Sequence, residues 1–275
     1  MILDGKTLRN EIFIDLKAKM KDLAFSLAII QIGEDSASKV YIKQKKKMCE
    51  TLNIVFKHYK LPADTHQNEV VTLINQLNHD DTTGILLQLP LPVKFDARYL
   101  QNLINPLKDV DGLSEINAGK LVCGAETLIP CTALGVLALL RKYQIPLAGQ
   151  NVVVVGRSNL VGKPTANLLL NEDATVTICH RYTKNLKFFT SKADILIVAV
   201  GKKHLITAPM VKAGATVIDV GINSEHGKLF GDVDFNQVKE KCQYITPVPG
   251  GVGPMTVAML AQNIYEAYQL QKKSN

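Results

Sequence analysis

The sequence predicts an α/β fold with two domains, each containing a parallel sheet covered by helices. Short apolar, β-rich runs alternate with amphipathic stretches, which is typical of strand–helix–strand units. The alternation occurs in two series, separated by the Gly/Pro-bearing stretch Ile145-Pro-Leu-Ala-Gly149. A chain of 275 residues is long enough for one large or two ordinary domains. We therefore expect one domain for each series.

The first series predicts strands at residues 26–32, 54–61 and 84–89, with helices at 8–23, 37–52 and 69–77. The second predicts strands at residues 151–155, 175–179, 195–199 and 216–220, each followed by a turn and a helical pattern. A final pattern predicts a helix at 254–270, with Pro254 near its first turn. This helix could pack back on the first domain, a point that the pattern alone leaves open.

Composition narrows the classes of function. The net charge of +7 suits either nucleic acid or anionic small molecules as ligands. Basic residues are spread along the chain and no nucleic-acid-binding signature occurs, so we expect no nucleic acid as partner. No apolar run or signal region predicts a membrane or secreted protein. Five cysteines without a CxxC pair predict neither disulfides nor a metal site, which favours a cytoplasmic location.

A glycine-bearing turn follows the first strand of the second series. A buried strand runs into Gly156, Arg157 and Ser158 come next, and a helix is predicted to begin near Gly162. Glycines at such a turn let backbone N–H groups and a helix N-terminus approach a pyrophosphate. The spacing is not G-x-G-x-x-G, so the motif by itself is a moderate indication of a dinucleotide site.

The end of the next strand bears on the choice of dinucleotide. NAD-binding domains place an acidic residue there to bind the ribose 2′-hydroxyl. Here the strand ends in Cys179-His180-Arg181, without an acid. Arg157 and Arg181 could instead hold a 2′-phosphate by charge-assisted bonds, which favours NADP. Alternatively, both are ordinary solvated arginines at strand ends.

One lysine of a basic helix lies on the apolar face of that helix. A helical wheel at about 100° per residue places Lys45 beside Tyr41, away from the other lysines of the segment. An amine among apolar groups has a lowered pKa and can transfer protons near neutrality. A lysine that snorkels from the edge of the stripe into water fits the wheel equally well.

Two more polar positions of the first series are candidates for binding a ligand. Gln88 lies at the carboxyl end of a predicted strand, where α/β proteins bind ligands, although it could be an edge-strand residue facing water. The run Lys108-Asp109-Val110-Asp111 forms a turn after Pro106. Its carboxylates could serve a ligand or only shape the turn.

In combination, these segments resemble the bifunctional methylenetetrahydrofolate dehydrogenase/methenyltetrahydrofolate cyclohydrolase family. The resemblance covers nearly the whole chain and rests on an ordered set of signatures. They are 33–38 with Tyr41 and Lys45, 84–92, 106–112, 130–132, 156–158 and 247–256. Ser36, Ala133 and Lys203 stand where the family usually has proline. These departures affect turn stiffness more than chemical groups.

The resemblance implies oxidation of 5,10-methylenetetrahydrofolate with NADP, followed by hydrolysis to 10-formyltetrahydrofolate. It makes Lys45 catalytic, with Gln88 orienting it and Asp111 binding the pterin on which Tyr41 stacks. The other implied contacts are Pro249, Gly250 and Gly251 for folate, and Gly156, Arg157, Ser158, Arg181 and Ile222 for the cofactor.

The resemblance also implies an arrangement of domains and subunits. A catalytic domain of residues 1–120 plus 252–275 would face a Rossmann-type NADP-binding domain of residues 121–251 across a cleft, in a homodimer. Two alternatives remain open: a Rossmann dehydrogenase for another substrate, such as an amino acid, and a basic nucleic-acid-binding protein. The first leaves the signatures of the first series without a purpose.

Overall fold

The computed structural model describes residues 1–274, apart from the side chains of Ser36, Ala37 and Ser274. These residues form two compact units. The three-stranded unit comprises Ile12–Cys131 and the chain from Val257 onward, and the five-stranded unit comprises Met1–Glu11 and Thr132–Thr256. The predicted domain boundaries at 120, 121, 251 and 252 stay a prediction.

The three-stranded unit is a parallel sheet with helices. Its strand order is β2-β1-β3, and all seven residues of the central strand β1 are buried. Its elements are β1 (Ser26–Ile32), α2 (Ser36–Leu52), β2 (Val55–Leu61), α3 (Gln67–His79), β3 (Gly84–Leu87), α4 (Ala97–Asn102) and α5 (Glu115–Val122). The apolar stripe Val70, Ile74 and Leu77 of α3 packs on β1 and β3 in one core, as its spacing predicts.

The five-stranded unit is a second parallel sheet, in the order β10-β7-β6-β4-β5. The chain passes from β4 to the edge strand β5 and then returns to the other side of β4 with β6, as in doubly wound nucleotide-binding folds. Its elements are β4 (Asn151–Val155), α7 (Gly162–Leu170), β5 (Thr175–Cys179), α8 (Leu186–Thr190), β6 (Ile195–Val198), β7 (Thr216–Asp219), β8 (Asn223–Glu225), β9 (Lys228–Phe230), α9 (Phe235–Val238) and β10 (Tyr244–Ile245). The predicted two-domain parallel α/β fold is confirmed.

Three helices cross or adjoin the boundary between the units. They are α1 (Gly5–Lys19), α6 (Cys131–Lys142) and α10 (Val252–Ser274). From Val257 onward α10 belongs to the three-stranded unit, where Gln271 donates to the carbonyls of Thr83 and Leu107 at 2.9 and 3.0 Å. The helix thus supplies donors to carbonyls beside β3.

Several predicted boundaries differ from the structure for local reasons. Helix α1 begins at Gly5, earlier than predicted, because the Asp4 carboxylate accepts the N–H groups of Lys6 and Thr7. Strand β3 ends at Leu87, since Pro90 has no N–H for a ladder. Ile54 lies before β2, where its N–H closes the end of α2 on the Cys49 carbonyl at 2.9 Å.

The helical patterns predicted after β6 and β7 are the largest error. Within residues 1–274, only the 3-10 turn Ala208–Met210 separates β6 from β7. Strand β7 leads into the antiparallel hairpin of β8 and β9. His226 and Gly227 both have positive φ in its two-residue loop, which is the geometry of a type I′ turn.

Gly112 occupies a tightly packed turn of the three-stranded unit. Its φ is +68°, and a Cβ built there would lie 2.6 Å from the carbonyl carbon of Ile129 and 2.7 Å from the nitrogen of Pro130. Gly124 has the same φ of +68°, but a Cβ there would meet nothing within 4 Å. Substitutions at the two positions therefore separate the energetic cost of backbone strain from that of steric contact.

We expect Gly112→Ala to destabilise the protein more than Gly124→Ala. The positive φ alone costs about 1–2 kcal/mol for alanine at either position, and the contact at Gly112 adds about 1–3 kcal/mol. Urea denaturation of the two variants and the parent protein measures both terms. Equal losses of unfolding free energy would show that the backbone at Ile129 and Pro130 yields to the methyl group.

Candidate functional site

Lys45 lies where helix α2 faces the end of strand β3. The helix is capped by Asp35, which accepts the N–H of Ser38 at 2.7 Å. Lys45 is half-buried, whereas Lys43, Lys46 and Lys47 are exposed, as the helical wheel predicts. Its Nζ donates to Oε1 of Gln88 at 2.9 Å. Tyr41, one turn earlier on α2, is 40% exposed and leaves its ring open to a ligand.

Gln88 is buried and oriented, so the alternative that it faces water is wrong. Its Nε2 donates to the carbonyl of Leu89 at 2.7 Å. Because the amide nitrogen is bound there, the amide oxygen points to Lys45. The hydroxyl of Ser38 donates to the same carbonyl at 3.3 Å, which ties α2 to the end of β3.

Burial lowers the pKa of Lys45, while the negative charge of Asp111 near it acts in the opposite direction. Gln88 is a neutral acceptor, so the hydrogen bond holds the amine without the strong stabilisation of its charge that a carboxylate partner would give. The geometry favours a buried amine over the snorkelling alternative. A lowered pKa makes the amine better suited to proton transfer than a solvated lysine.

The run from Lys108 to Asp111 divides into separate roles. The buried Lys108 donates to the carbonyls of Leu77 and Asp80 at 2.9 and 2.7 Å and so closes the end of α3. Asp109 accepts the N–H of Ser114 at 2.8 Å and shapes the turn before α5. Burial raises the pKa of Asp109, with Asp111 adding to that effect. Asp111 is the carboxylate beside Lys45.

Cys131 and Asn263 belong to the same site, but neither received a role from the sequence. Asn263 on α10 donates to the carbonyls of Val110 and Ile129, both at 2.8 Å. Its Nδ2 also lies 3.6 Å from Sγ of the buried Cys131. Burial, reinforced by Asp111, raises the pKa of the Cys131 thiol well above its usual value, which keeps it neutral. The signal available in the sequence was that Asn263 is a polar residue within the otherwise apolar buried stripe of α10.

The turn after β4 explains the spacing of its glycines. Gly156 has a φ of +134°, and a Cβ there would lie 2.3 Å from the carbonyl oxygen of Ala199. At Gly162 a Cβ would lie 2.2 Å from the carbonyl oxygen of Gly156. The two glycines allow the ends of β4, β6 and α7 to approach each other closely. Helix α7 begins at Gly162, as predicted.

Ser158 has a structural partner that the sequence did not reveal. Its Oγ accepts the N–H groups of Val161 and Gly162 at 3.1 and 3.4 Å, at the start of α7. Arg157 beside it and Arg181 beyond β5 are both exposed. Because β4 and β5 pair in parallel from Asn151 and Thr175, these arginines follow neighbouring strand ends.

Ile222 is 47% exposed in a segment anchored by two buried aspartates. Asp219 accepts the N–H groups of Gly221 and Asp232 at 3.0 Å and that of Val233 at 2.9 Å. Asp232 in turn accepts three N–H groups from Val200–Lys202, the segment after β6, at 2.7 to 3.0 Å. The pair thus joins the loops that follow β6 and β7. Sequence patterns gave no signal for it.

Pro249, Gly250 and Gly251 form a turn in the five-stranded unit. Gly251 donates its N–H to the Pro247 carbonyl at 2.8 Å, and Gly250 accepts the N–H of Gly5 at 3.0 Å. The turn and Lys45 lie in different units. Their predicted approach across a cleft therefore stays a prediction.

Two of the three residues that stand where the resembled family usually has proline have described side chains. Ala133 is buried in the first turn of α6. Lys203 forms an ion pair with Glu225, and its Nζ lies 3.9 Å from the ring centroid of Phe230, so it docks the loop after β6 on the hairpin. The side chain of Ser36 lies outside the described part of the chain.

The fold and the Gly156–Gly162 turn define a two-domain α/β protein of the dinucleotide-binding class. Comparison with protein families gives the particular family. Residues 3–111 match the catalytic domain of tetrahydrofolate dehydrogenase/cyclohydrolase, and residues 130–272 match the NAD(P)-binding domain of the same family. The chain belongs to the tetrahydrofolate dehydrogenase/cyclohydrolase family, which confirms the resemblance seen in the sequence.

Individual relatives agree with this assignment along the whole chain. The bifunctional protein FolD of Campylobacter concisus is 49% identical over 100% of this chain and 99% of its own. The crystal structure of the bifunctional FolD dehydrogenase/cyclohydrolase from Campylobacter jejuni has a TM-score of 0.95 and 48% identity, covering 98% of this chain and 99% of its own. The Trypanosoma brucei FolD structure, in complex with NADP and an inhibitor, has a TM-score of 0.94 and 33% identity, covering 99% and 98%.

The aspartate pair makes stability depend on pH. Burial raises the pKa of Asp219 to about 7, with Asp232 contributing and the backbone N–H groups opposing. The folded pKa lies above the unfolded value, so the folded state holds this proton more tightly. The unfolding free energy of the protein therefore falls as pH rises from about 4 to about 7, by at most about 4 kcal/mol from this group.

Asp219→Asn removes this titration. We expect the stability of the parent protein minus that of the variant to fall between about pH 4 and 7 and to level off above that range, as measured by urea denaturation. Asp234→Asn, at the N-cap of α9, is the control for the loss of a carboxylate elsewhere in the same unit. A stability difference that does not change with pH would contradict the raised pKa.

Proposed function

We propose that this chain oxidises 5,10-methylenetetrahydrofolate with NADP and hydrolyses the resulting 5,10-methenyltetrahydrofolate to 10-formyltetrahydrofolate. The observation that carries the proposal is the half-buried Lys45 amine, bound to Gln88 at 2.9 Å. Family membership supplies the folate substrate, and the relatives named bifunctional FolD support both activities. Family membership also disfavours an amino-acid dehydrogenase or a nucleic-acid-binding protein.

The five-stranded unit suits a dinucleotide. The glycines at positions 156 and 162 let the end of β4 and the start of α7 approach each other closely, and a strand–turn–helix junction of this kind is where dinucleotide-binding folds hold the pyrophosphate. We assign Gly156, Arg157, Ser158, Arg181 and Ile222 to the cofactor, with the two arginines at the 2′-phosphate. When bound, NADP accepts the hydride from the methylene carbon of the substrate. The protein contributes distance and orientation to that step.

Lys45 serves the hydrolytic step. The oxygen of water bonds to the methenyl carbon, and the bond between that carbon and N5 breaks as the formyl group forms on N10. Of the two water protons, one ends on N5 and the other is released. An amine with a lowered pKa suits both parts of this transfer, because it can accept a proton from water and return one to nitrogen.

The remaining assignments concern the substrate. We assign Asp111 to the polar edge of the pterin, Tyr41 to its face, and Pro249, Gly250 and Gly251 to the wall of the folate cleft. Gln88 is a positioning residue for Lys45. The division into residues 1–120 plus 252–275 and 121–251 and the homodimer are parts of the same proposal. So are the cytoplasmic location and the expectation of neither a nucleic-acid nor a membrane partner.

No helix among residues 1–274 combines the length and apolar character required to cross a membrane.

An assay that follows both steps tests the function. With 5,10-methylenetetrahydrofolate and NADP, we expect NADPH to form while the methenyl absorbance stays low, because hydrolysis follows oxidation in the same protein. NAD in place of NADP should give a slower reaction. NADPH formation with accumulating methenyl product would contradict the hydrolytic role. Reduction of neither cofactor would contradict the dehydrogenase activity.

Lys45→Met should remove the hydrolytic activity selectively. Methionine fits the half-buried site but transfers no proton, so we expect cyclohydrolase activity to fall by about 100-fold or more. NADP binding, measured by calorimetry, should change little because Lys45 lies in the other unit. Lys46→Met, at an exposed position on the same helix, is the matched control. Normal hydrolysis of added methenyltetrahydrofolate by the Lys45 variant would overturn the assignment.

A further inference from the structure

We propose that Tyr182 determines the preference for NADP, by holding Arg157 and Arg181 together as a clamp for the 2′-phosphate. This inference rests on the proposed function, since it refines the cofactor site described above. Tyr182 is a positioning residue in this role, because it acts through the two guanidinium groups.

The geometry places two cations within reach of one aromatic ring. The Cζ atom of Arg181 lies 4.7 Å from the centroid of the Tyr182 ring, and that of Arg157 lies 5.8 Å from it. Both distances fall within the range of about 6 Å at which a ring attracts a cation. Arg157 follows β4 by two residues and Arg181 follows β5 by two residues, so the ring bridges the ends of two paired strands.

The turn that carries Tyr182 is closed by its own hydrogen bonds. The N–H of Tyr182 donates to Nδ1 of His180 at 3.2 Å, and the N–H of His180 donates to the hydroxyl of Thr183 at 2.8 Å. The His180 ring meets the Tyr182 ring edge-on, with centroids 6.1 Å apart. These contacts fix the ring on a short segment, while its 64% exposure leaves the cluster open to a ligand.

The charges around the ring lack a described counterion. Arg98 and Arg141 form ion pairs with Glu115 and Glu172, whereas no carboxylate pairs with Arg157 or Arg181 within residues 1–274. Two guanidinium groups on one ring repel each other, and the negative face of the ring offsets part of that repulsion. A phosphate dianion suits both groups, since guanidinium binds phosphate through paired donors.

The cluster therefore distinguishes the two dinucleotides. NADP carries a phosphate where NAD carries a 2′-hydroxyl, so only NADP gains from two cations held in advance. Removing the ring would leave both arginines in place but free to separate. The loss should fall on the 2′-phosphate and leave the rest of the nucleotide site unaffected.

Calorimetry with two small probes isolates this effect. Adenosine 2′,5′-bisphosphate and adenosine 5′-monophosphate differ only in the 2′-phosphate. We expect Tyr182→Ser to weaken binding of the bisphosphate by about 5- to 30-fold, the loss of two exposed cation–π contacts, with little change for the monophosphate. Tyr182→Phe keeps the ring and should restore binding of the bisphosphate. The kcat/KM ratio of NADP to NAD should follow the same order.

Phe188→Ser is the matched control. This variant removes another exposed ring of the five-stranded unit, away from the two arginines. The Nζ atom of Lys192 lies 3.6 Å from the centroid of that ring. The variant should leave the difference between the probes unchanged. If Tyr182→Ser keeps that difference, or weakens both probes equally, the inference is overturned. If the parent protein itself does not distinguish the probes, the proposed NADP site fails together with it.

Discussion

The hydrogen bond from Lys45 to Gln88 is the interaction on which the candidate catalytic site depends. A half-buried amine needs an acceptor, and a carboxylate as direct partner would hold it charged. The amide oxygen satisfies the amine without adding a charge, and the Leu89 carbonyl keeps that oxygen in place by binding the amide nitrogen. The catalytic potential of Lys45 thus depends on a residue after β3 as much as on the helix that carries the lysine.

The five-stranded unit also has polar groups that need partners, but here the buried side chains are acceptors rather than a donor. The loops that follow β6 and β7 leave backbone N–H groups that lie outside the sheet ladder and need acceptors. Asp232 and Asp219 supply carboxylate oxygens to them from positions that are almost fully buried. In the five-stranded unit, buried carboxylates accept from several backbone N–H groups. At Lys45, a side-chain amine donates to a single amide oxygen. In both units, buried polar partners beyond the strand ends fix the segments that we assign to ligands.

The sequence predicted what depends on periodicity and local spacing. The strands Ser26–Ile32, Asn151–Val155 and Thr175–Cys179 have the predicted limits, and Lys45 lies on the predicted face of α2. Partners that are distant in sequence could not be predicted: Asn263 lies 153 residues from the Val110 carbonyl that it binds. The hairpin of β8 and β9 was missed because its strands have three residues each, too few to show alternation.

The turn after β4 shows why a partial motif match was informative. In a G-x-G-x-x-G turn the central glycine lets the backbone approach the pyrophosphate. Here the two glycines that contact each other are Gly156 and Gly162, and the residues between them carry side chains. Ser158 uses its hydroxyl to accept the N–H groups of Val161 and Gly162 at the start of α7, and Arg157 extends toward the Tyr182 ring beyond β5. The spacing that weakens the motif as a signature therefore places a cation on the turn itself, which suits the 2′-phosphate that we propose it binds.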